Sequence, residues 1–218
     1  MSRLSNTVVS PRHITARNNP FRTCRVESSI RFQPAWLDTS WQEIMERFDS
    51  LRNSRFRCTV VGPHGTGKTT FFEDFELRLR DRGHEVLRLS LHLTVDGRAE
   101  LPTIPDEVHP DTIVLLDSAG VIGWRAWSPL PLRTWNQRRS WRDKFRRLSC
   151  CQIVESRHRR NSNPVLLQTS SSPEMLEAII RRLDPEWQIS STEIRALYQR
   201  RKGNIRESLR ECFDLKSA

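Results

Sequence analysis

The residues best able to do chemistry lie in one run, Gly62, Pro63, His64, Gly65, Thr66, Gly67, Lys68, Thr69 and Thr70. Gly62 through Thr69 fit the pattern G-x-x-x-x-G-K-[ST] with no mismatch. The spacing has a chemical reason. Glycines let successive backbone N–H groups turn inward around an anion, and a helix that follows points its positive dipole end at the same place. Lys68 then supplies a counter-charge for the outer phosphates of a nucleotide, and the Thr69 hydroxyl a ligand for Mg²⁺. Such a run arises by chance in roughly one chain in a hundred at ordinary residue frequencies, and few chance matches fall between a strand and a helix. This one does.

The elements that must position the loop are legible around it. Residues 57–62 (RCTVVG) are a short β-branched run ending in glycine, which predicts a buried strand. Residues 68–82 predict a helix with Phe71, Phe75 and Leu79 on one face and Gly83 as its stop. Residues 85–91 alternate as a second strand, and 92–110, with three prolines and no periodicity, predict a long loop. Residues 112–116 (TIVLL) read as a fully buried strand closed by Asp117. A carboxylate at that strand end lies beside the phosphate loop and can hold a Mg²⁺ shell through water. Residues 150–154 and 165–168 predict two more strands, with Cys58 and Cys150 as small buried hydrophobes.

Before the loop, Leu37, Trp41, Ile44, Met45, Phe48 and Leu51 recur at helical spacing, with Asp38, Thr39 and Ser40 available as caps. Residues 20–32 predict an extended arm, and residues 1–19, poor in large apolar side chains, a disordered leader. After the last strand the pattern turns helical. Leu176, Ile179, Ile180 and Leu183 form one apolar stripe, Ser190 and Glu193 a capping box, and Ile205, Leu209, Cys212 and Phe213 a last helix beyond Gly203. The expectation is an α/β fold with a mostly parallel sheet flanked by helices over residues 20–172, followed by a small helical lid over 173–218.

A chain of 218 residues, 36% hydrophobic and 28% charged, suits one core with a small accessory subdomain. No apolar run approaches the ~20 residues of a membrane helix, and the N-terminus lacks the apolar segment of a secretory signal. Five cysteines without a C-x-x-C pair argue against a disulfide framework or zinc site and for a reducing cytoplasm. The net charge of +10 is localised, because residues 121–160 hold eleven basic and two acidic side chains.

Within that stretch an insertion over 121–148 interleaves Trp124, Trp127, Trp135 and Trp141 with arginines that include Arg138, Arg139, Arg142, Arg146 and Arg147. Aromatics that stack on bases beside cations that track phosphates would bind a single strand of nucleic acid. The same tryptophans at near-helical spacing would equally serve as core. The charge excess implies an anionic partner for 121–160, either nucleic acid or the acidic face of another protein.

With a phosphate loop and a strand-end acid 49 residues apart and one strand between them, the chain resembles the P-loop ATPases that include the AAA+ family, over roughly residues 57–215. The resemblance implies ATP or another nucleoside triphosphate with Mg²⁺ as cofactors, Gly62–Thr70 as the binding loop, and Thr69 and Asp117 (the Walker B acid) at the metal. Gly203-Asn204-Ile205-Arg206 looks like that family's lid motif, which implies that Arg206 reaches the γ-phosphate. The departure is chemical. Hydrolysing members usually follow the Walker B acid with a glutamate that polarises water, but Ser118 stands there. Glu155 and His158, after the next strand, are the nearest replacements, and turnover is expected to be slow. A nucleotide or small-molecule kinase, and a nucleic-acid-binding module that keeps a catalytically weak loop, remain alternatives.

Overall fold

The computed structural model describes residues 17–52, 57–93, 99–100, 103–118 and 148–217. Strand β1 (Arg57–Val61) runs into the glycine loop, which passes directly into helix α3 (Lys68–Asp81); Gly83, at φ +81°, stops the chain just beyond it. Helices α1 (Thr23–Ser29) and α2 (Trp41–Arg52) precede them. Then come β2 (Val86–Ser90), a small antiparallel pair β3 (His92–Leu93) and β4 (Ala99–Glu100), β5 (Ile113–Asp117), β6 (Gln152–Arg157) and β7 (Val165–Gln168). Three helices close the chain: α4 (Pro173–Leu183), α5 (Ser191–Arg200) and α6 (Ile205–Ser217).

The main sheet has five parallel strands in the order β2-β5-β6-β1-β7. From β1 the chain crosses over α3 to the far edge, while β7 lies on β1's other side. The loop after β1 therefore leaves the sheet where the strand order reverses, which is where open α/β sheets hold ligands. Parallel strands are covered on both faces, so their side chains alternate between two buried layers. Cys58, Val60, Ile113, Leu115 and Val154 pack with Ile44, Met45 and Phe48 of α2 and Phe71, Phe72, Phe75 and Leu79 of α3. Val114, Leu116 and Ile153 face the other way, onto Leu89, Leu91, Ile104, Leu148 and Cys151. Each fully buried side chain of this size contributes about 1.5–3 kcal/mol.

The three C-terminal helices have their own apolar cluster, centred on Leu176, Ile180, Ile194, Leu197, Leu209 and Cys212. Their ends are well capped. Ser172 accepts from the Met175 N–H at 3.1 Å before Pro173, and Ser190 and Glu193 form the expected capping box. Ser40 and Glu43 make a similar reciprocal pair ahead of α2.

Four expectations need correction. The arm over 20–32 contains helix α1, which buries none of its own residues and is held by what flanks it. Phe21 meets Trp187 edge-on at 5.3 Å, and Phe32 packs on Trp41 and Phe71. Asn19, at the end of the expected leader, is fully buried and donates to the Phe213 carbonyl and to Ser217 Oγ, both at 2.9 Å; residues 1–16 lie outside the described residues. Strand β6 starts two residues later and ends three later than expected, so Cys151 rather than Cys150 is buried and Glu155 lies inside the strand. The stretch 92–110 carries the β3–β4 pair. Of the insertion, only Leu148 is among the described residues, and it is fully buried. No helix among the described residues is long and apolar enough to cross a membrane.

Candidate nucleotide site

The loop is built against β7. A Cβ on Gly62 would sit 2.0 Å from Thr169 Oγ1 and 2.5 Å from the Thr169 carbonyl oxygen, so only glycine lets the chain leave β1 there. Thr66 donates to the Pro63 carbonyl at 2.9 Å and meets Thr169 Oγ1 at 2.7 Å, which staples the loop to the strand. Gly67, at φ +84°, caps α3, and its carbonyl accepts the first helical hydrogen bond from the Phe71 N–H at 2.8 Å. Thr69 and Thr70 follow in the first turn; Thr69 is exposed and its hydroxyl makes no hydrogen bond among the described residues.

Lys68 is 7% exposed, and its ammonium donates to the Gly62 and Pro63 carbonyls at 2.6 and 2.5 Å. Burial depresses its pKa to about 8, opposed by the nearby negative charge of Asp117. A cation folded onto its own loop this way is held by neutral acceptors, two carbonyls and the His158 ring, and an entering phosphate would be a stronger partner.

Asp117 ends β5 on the face that carries Leu115, toward α3. It is 4% exposed, and Oδ1 accepts from the Ser118 N–H at 2.7 Å and from Ser156 Oγ at 2.8 Å. Oδ2 makes no hydrogen bond among the described residues. Ser118 adopts the left-handed conformation (φ +59°), which lets its N–H reach Ser156 Oγ at 2.7 Å as well. A non-glycine residue there costs about 1 kcal/mol, and the two bonds to the N–H offset it.

Glu155 and His158 do not come together. Alternation along β6 puts Ser156 beside Asp117 and turns Glu155 to the opposite face. There Glu155, 2% exposed, is saturated. Arg157 Nη2 donates to Oε2 at 3.0 Å, Arg157 Nε lies 2.8 Å from Oε1 as an ion pair, and the Asn161 and Asn163 amides each donate to Oε1 at 2.8 Å. His158, by contrast, is at the loop. Its Nδ1 is 3.4 Å from Lys68 Nζ, and its ring stacks on His64 with centroids 3.5 Å apart.

The Gly203–Arg206 segment packs on the phosphate loop. Gly65 has φ +72°, and a Cβ on it would lie 1.9 Å from Asn204 Oδ1 and 3.2 Å from the Ile205 nitrogen. Asn204 Oδ1 accepts from the Glu207 N–H at 3.2 Å, so it caps α6 where that helix meets the loop. Arg206 is exposed in the first turn of α6. The sequence reading missed Ser156 and Thr169, and named Asn204 only within the lid-like motif. Ser156 reaches Asp117 across 39 residues of chain and Thr169 reaches Thr66 across 103, and single small polar residues carry no local pattern.

No protein-family model matches the chain, and no curated protein matches its sequence. Its fold is similar to a crystal structure of a DNA replication initiation factor, at a TM-score of 0.50 and 15% identity over 88% of this chain and 64% of that one. Weaker likenesses, both at a TM-score of 0.48, are to the replication initiator DnaA bound to AMPPCP and single-stranded DNA (13% identity, 95% of this chain and 65% of that one) and to Drosophila ORC bound to DNA (14% identity, 99% and 64%). The chain thus spans just under two thirds of these structures' length. At such identities the likeness carries the fold alone. The fold is α/β, a five-stranded parallel sheet flanked by helices and followed by three C-terminal helices.

Proposed function

We propose that this chain binds ATP, or another nucleoside triphosphate, with Mg²⁺ at Gly62–Thr70 and works as an AAA+-like ATPase or ATP-operated switch. The observation that carries the reading is the polar arrangement at the end of β1 and β5. Lys68 is buried against loop carbonyls that a phosphate would replace, Thr69 is exposed, and Asp117 keeps one oxygen uncommitted. These groups fit a magnesium nucleotide. Gly62, Pro63, His64, Gly65, Thr66 and Gly67 would wrap the phosphates, Thr69 and Asp117 would hold Mg²⁺, and Thr70 would extend the cradle into α3. The bound metal would neutralise phosphate charge. Arg206, on a helix that touches the loop through Asn204, would reach the terminal phosphate from the lid.

Hydrolysis should be slow. Glu155 is enclosed by Arg157, Asn161 and Asn163 on the far side of the sheet, and we assign it a structural role; Ser118 cannot act as a carboxylate base. Turnover is expected below about 10 s⁻¹, the median for enzymes. Labelled ATP resolved by thin-layer chromatography separates the readings: slow release of free phosphate supports an ATPase, transfer to an added nucleotide supports a kinase, and binding without either supports a switch.

The charge excess over 121–160 favours a nucleic-acid partner as a second component of the function. Binding of single-stranded DNA or RNA should then weaken with salt by about 0.7 logarithmic units per phosphate contact for each logarithmic unit of salt. Replacing Arg138, Arg139, Arg142, Arg146 and Arg147 together should flatten that slope and leave ATP affinity unchanged. An unchanged slope would redirect the patch to an acidic protein face.

A further inference from the structure

The imidazole of His158 sits where the phosphate loop, β5 and β6 converge, and none of the roles assigned above uses its contacts. Lys68 Nζ has only protons to offer, so the His158 Nδ1 that lies 3.4 Å away must present its lone pair, with the ring neutral and its proton on Nε2. The other groups facing it are the His64 ring, stacked at 3.5 Å, the Gly62 carbonyl of the loop, and the Asp117 carboxylate from β5. On its own segment, Arg157 is turned to Glu155 and Arg159 is exposed. A charged His158 in this setting would stand 3.4 Å from an ammonium and face-to-face with a second imidazole. Only an anion arriving between them would make that arrangement favourable.

We propose that His158, stacked on His64, is a proton-accepting contact for the bound phosphates: nucleotide binding draws Lys68 off His158, and His158 takes a proton from solvent and donates it as a hydrogen bond to the phosphate. The proton balance is one imidazole and one solvent proton to one imidazolium, with no covalent change. The proposal rests on the nucleotide-binding reading above and adds a regulatory consequence to it. Burial, then the Lys68 and His64 charges, hold the His158 pKa below its ordinary value in the nucleotide-free protein, against the weaker opposing effects of the Gly62 carbonyl and Asp117. A phosphate would reverse the sign of the local field and raise it. A group whose pKa is higher in the bound state strengthens binding at low pH and ceases to do so as pH rises through the bound value. Affinity should therefore rise on acidification, by at most tenfold per pH unit for the single linked proton.

The test is calorimetry of MgATP binding at pH 6.5 in buffers of different ionisation enthalpy, on the wild type and on His158→Asn, which keeps an acceptor for Lys68 but cannot titrate. Any protonation of the nucleotide itself is common to both and cancels. The wild type should take up more protons per nucleotide bound than His158→Asn, and its affinity should gain severalfold more between pH 8 and pH 6. Melting of the nucleotide-free variant within a few degrees of wild type shows that the fold is intact. As a second arm, the His158 ring followed by NMR in the full chain should titrate higher when nucleotide is bound. Equal proton uptake by the two proteins, with binding intact, would overturn this proposal alone. Failure of the wild type to bind nucleotide at any pH would overturn both it and the site reading.

Discussion

Two buried carboxylates lie on neighbouring strands of the same sheet, Asp117 at the end of β5 and Glu155 inside β6, and their surroundings differ in kind. Glu155 is met by one guanidinium and two side-chain amides, and both of its oxygens are used. Asp117 is met by one N–H and one hydroxyl, both on the same oxygen, in a site that also holds a lysine gripping only neutral acceptors, two carbonyls and an imidazole. The first is a closed network in which both carboxylate oxygens are met by cationic or amide donors. The second has spare capacity on both its anion and its cation, only partly screened from one another. Burial alone therefore does not mark a functional acid. In the proposed reading the functional acid is the one with unfilled hydrogen-bonding capacity beside an opposite charge.

The largest expected effect lies at the closed network. Glu155→Ala leaves Arg157 without its carboxylate and the Asn161 and Asn163 amides without an acceptor, and should cost about 3–5 kcal/mol of stability in denaturant unfolding, while the folded fraction binds nucleotide as before. A loss of nucleotide affinity without a loss of stability would erase the distinction drawn here. Next comes Gly65→Ala. The positive φ and the clash with Asn204 should together cost about 2 kcal/mol, and because α6 must move off the loop, nucleotide affinity should fall too. Unchanged affinity would show that the C-terminal helices do not take part in binding.

Asp117→Asn should act in the opposite way to Glu155→Ala. Melting should change little, since the amide can still accept from Ser118 and Ser156, but the Mg²⁺-dependent gain in nucleotide affinity should drop by at least tenfold, about 1.4 kcal/mol. An unaltered Mg²⁺ response would reduce Asp117 to a strand end. The smallest effect is Ser156→Ala, which removes the hydrogen bond to Asp117 and the one accepted from the Ser118 N–H, a donor that keeps Asp117 Oδ1, and should cost about 1 kcal/mol of stability. A far larger drop in Mg²⁺ response than in stability would promote Ser156 to a direct participant.

The glycine loop between β1 and α3 was legible because its residue types recur at fixed spacing within nine consecutive positions. The buried strands β1 and β5 were legible for a related reason, since β-branched and aliphatic runs are local. What failed was local structure set by distant contacts. Helix α1 depends on Phe21 reaching Trp187 and on Asn19 reaching Phe213, neither visible in a window of a dozen residues. The end of β6 was misplaced because Glu155, Ser156 and Arg157 are poor strand formers on their own. They are held extended by pairing with Thr59, Val60 and Val61. That misplacement mattered for function: three more strand residues decide by alternation which of Glu155 and Ser156 faces Asp117.

The central claim is that Lys68 is poised for a phosphate. Isothermal calorimetry of MgATP with the wild type and with Lys68→Ala tests it most directly. The account predicts saturable one-to-one binding by the wild type and a loss of more than tenfold, about 1.4 kcal/mol or more, in a variant that melts within a few degrees of it, since the lost side chain bonds only to loop carbonyls and His158. Equal affinity in the two proteins, or no binding by a folded wild type, would contradict it.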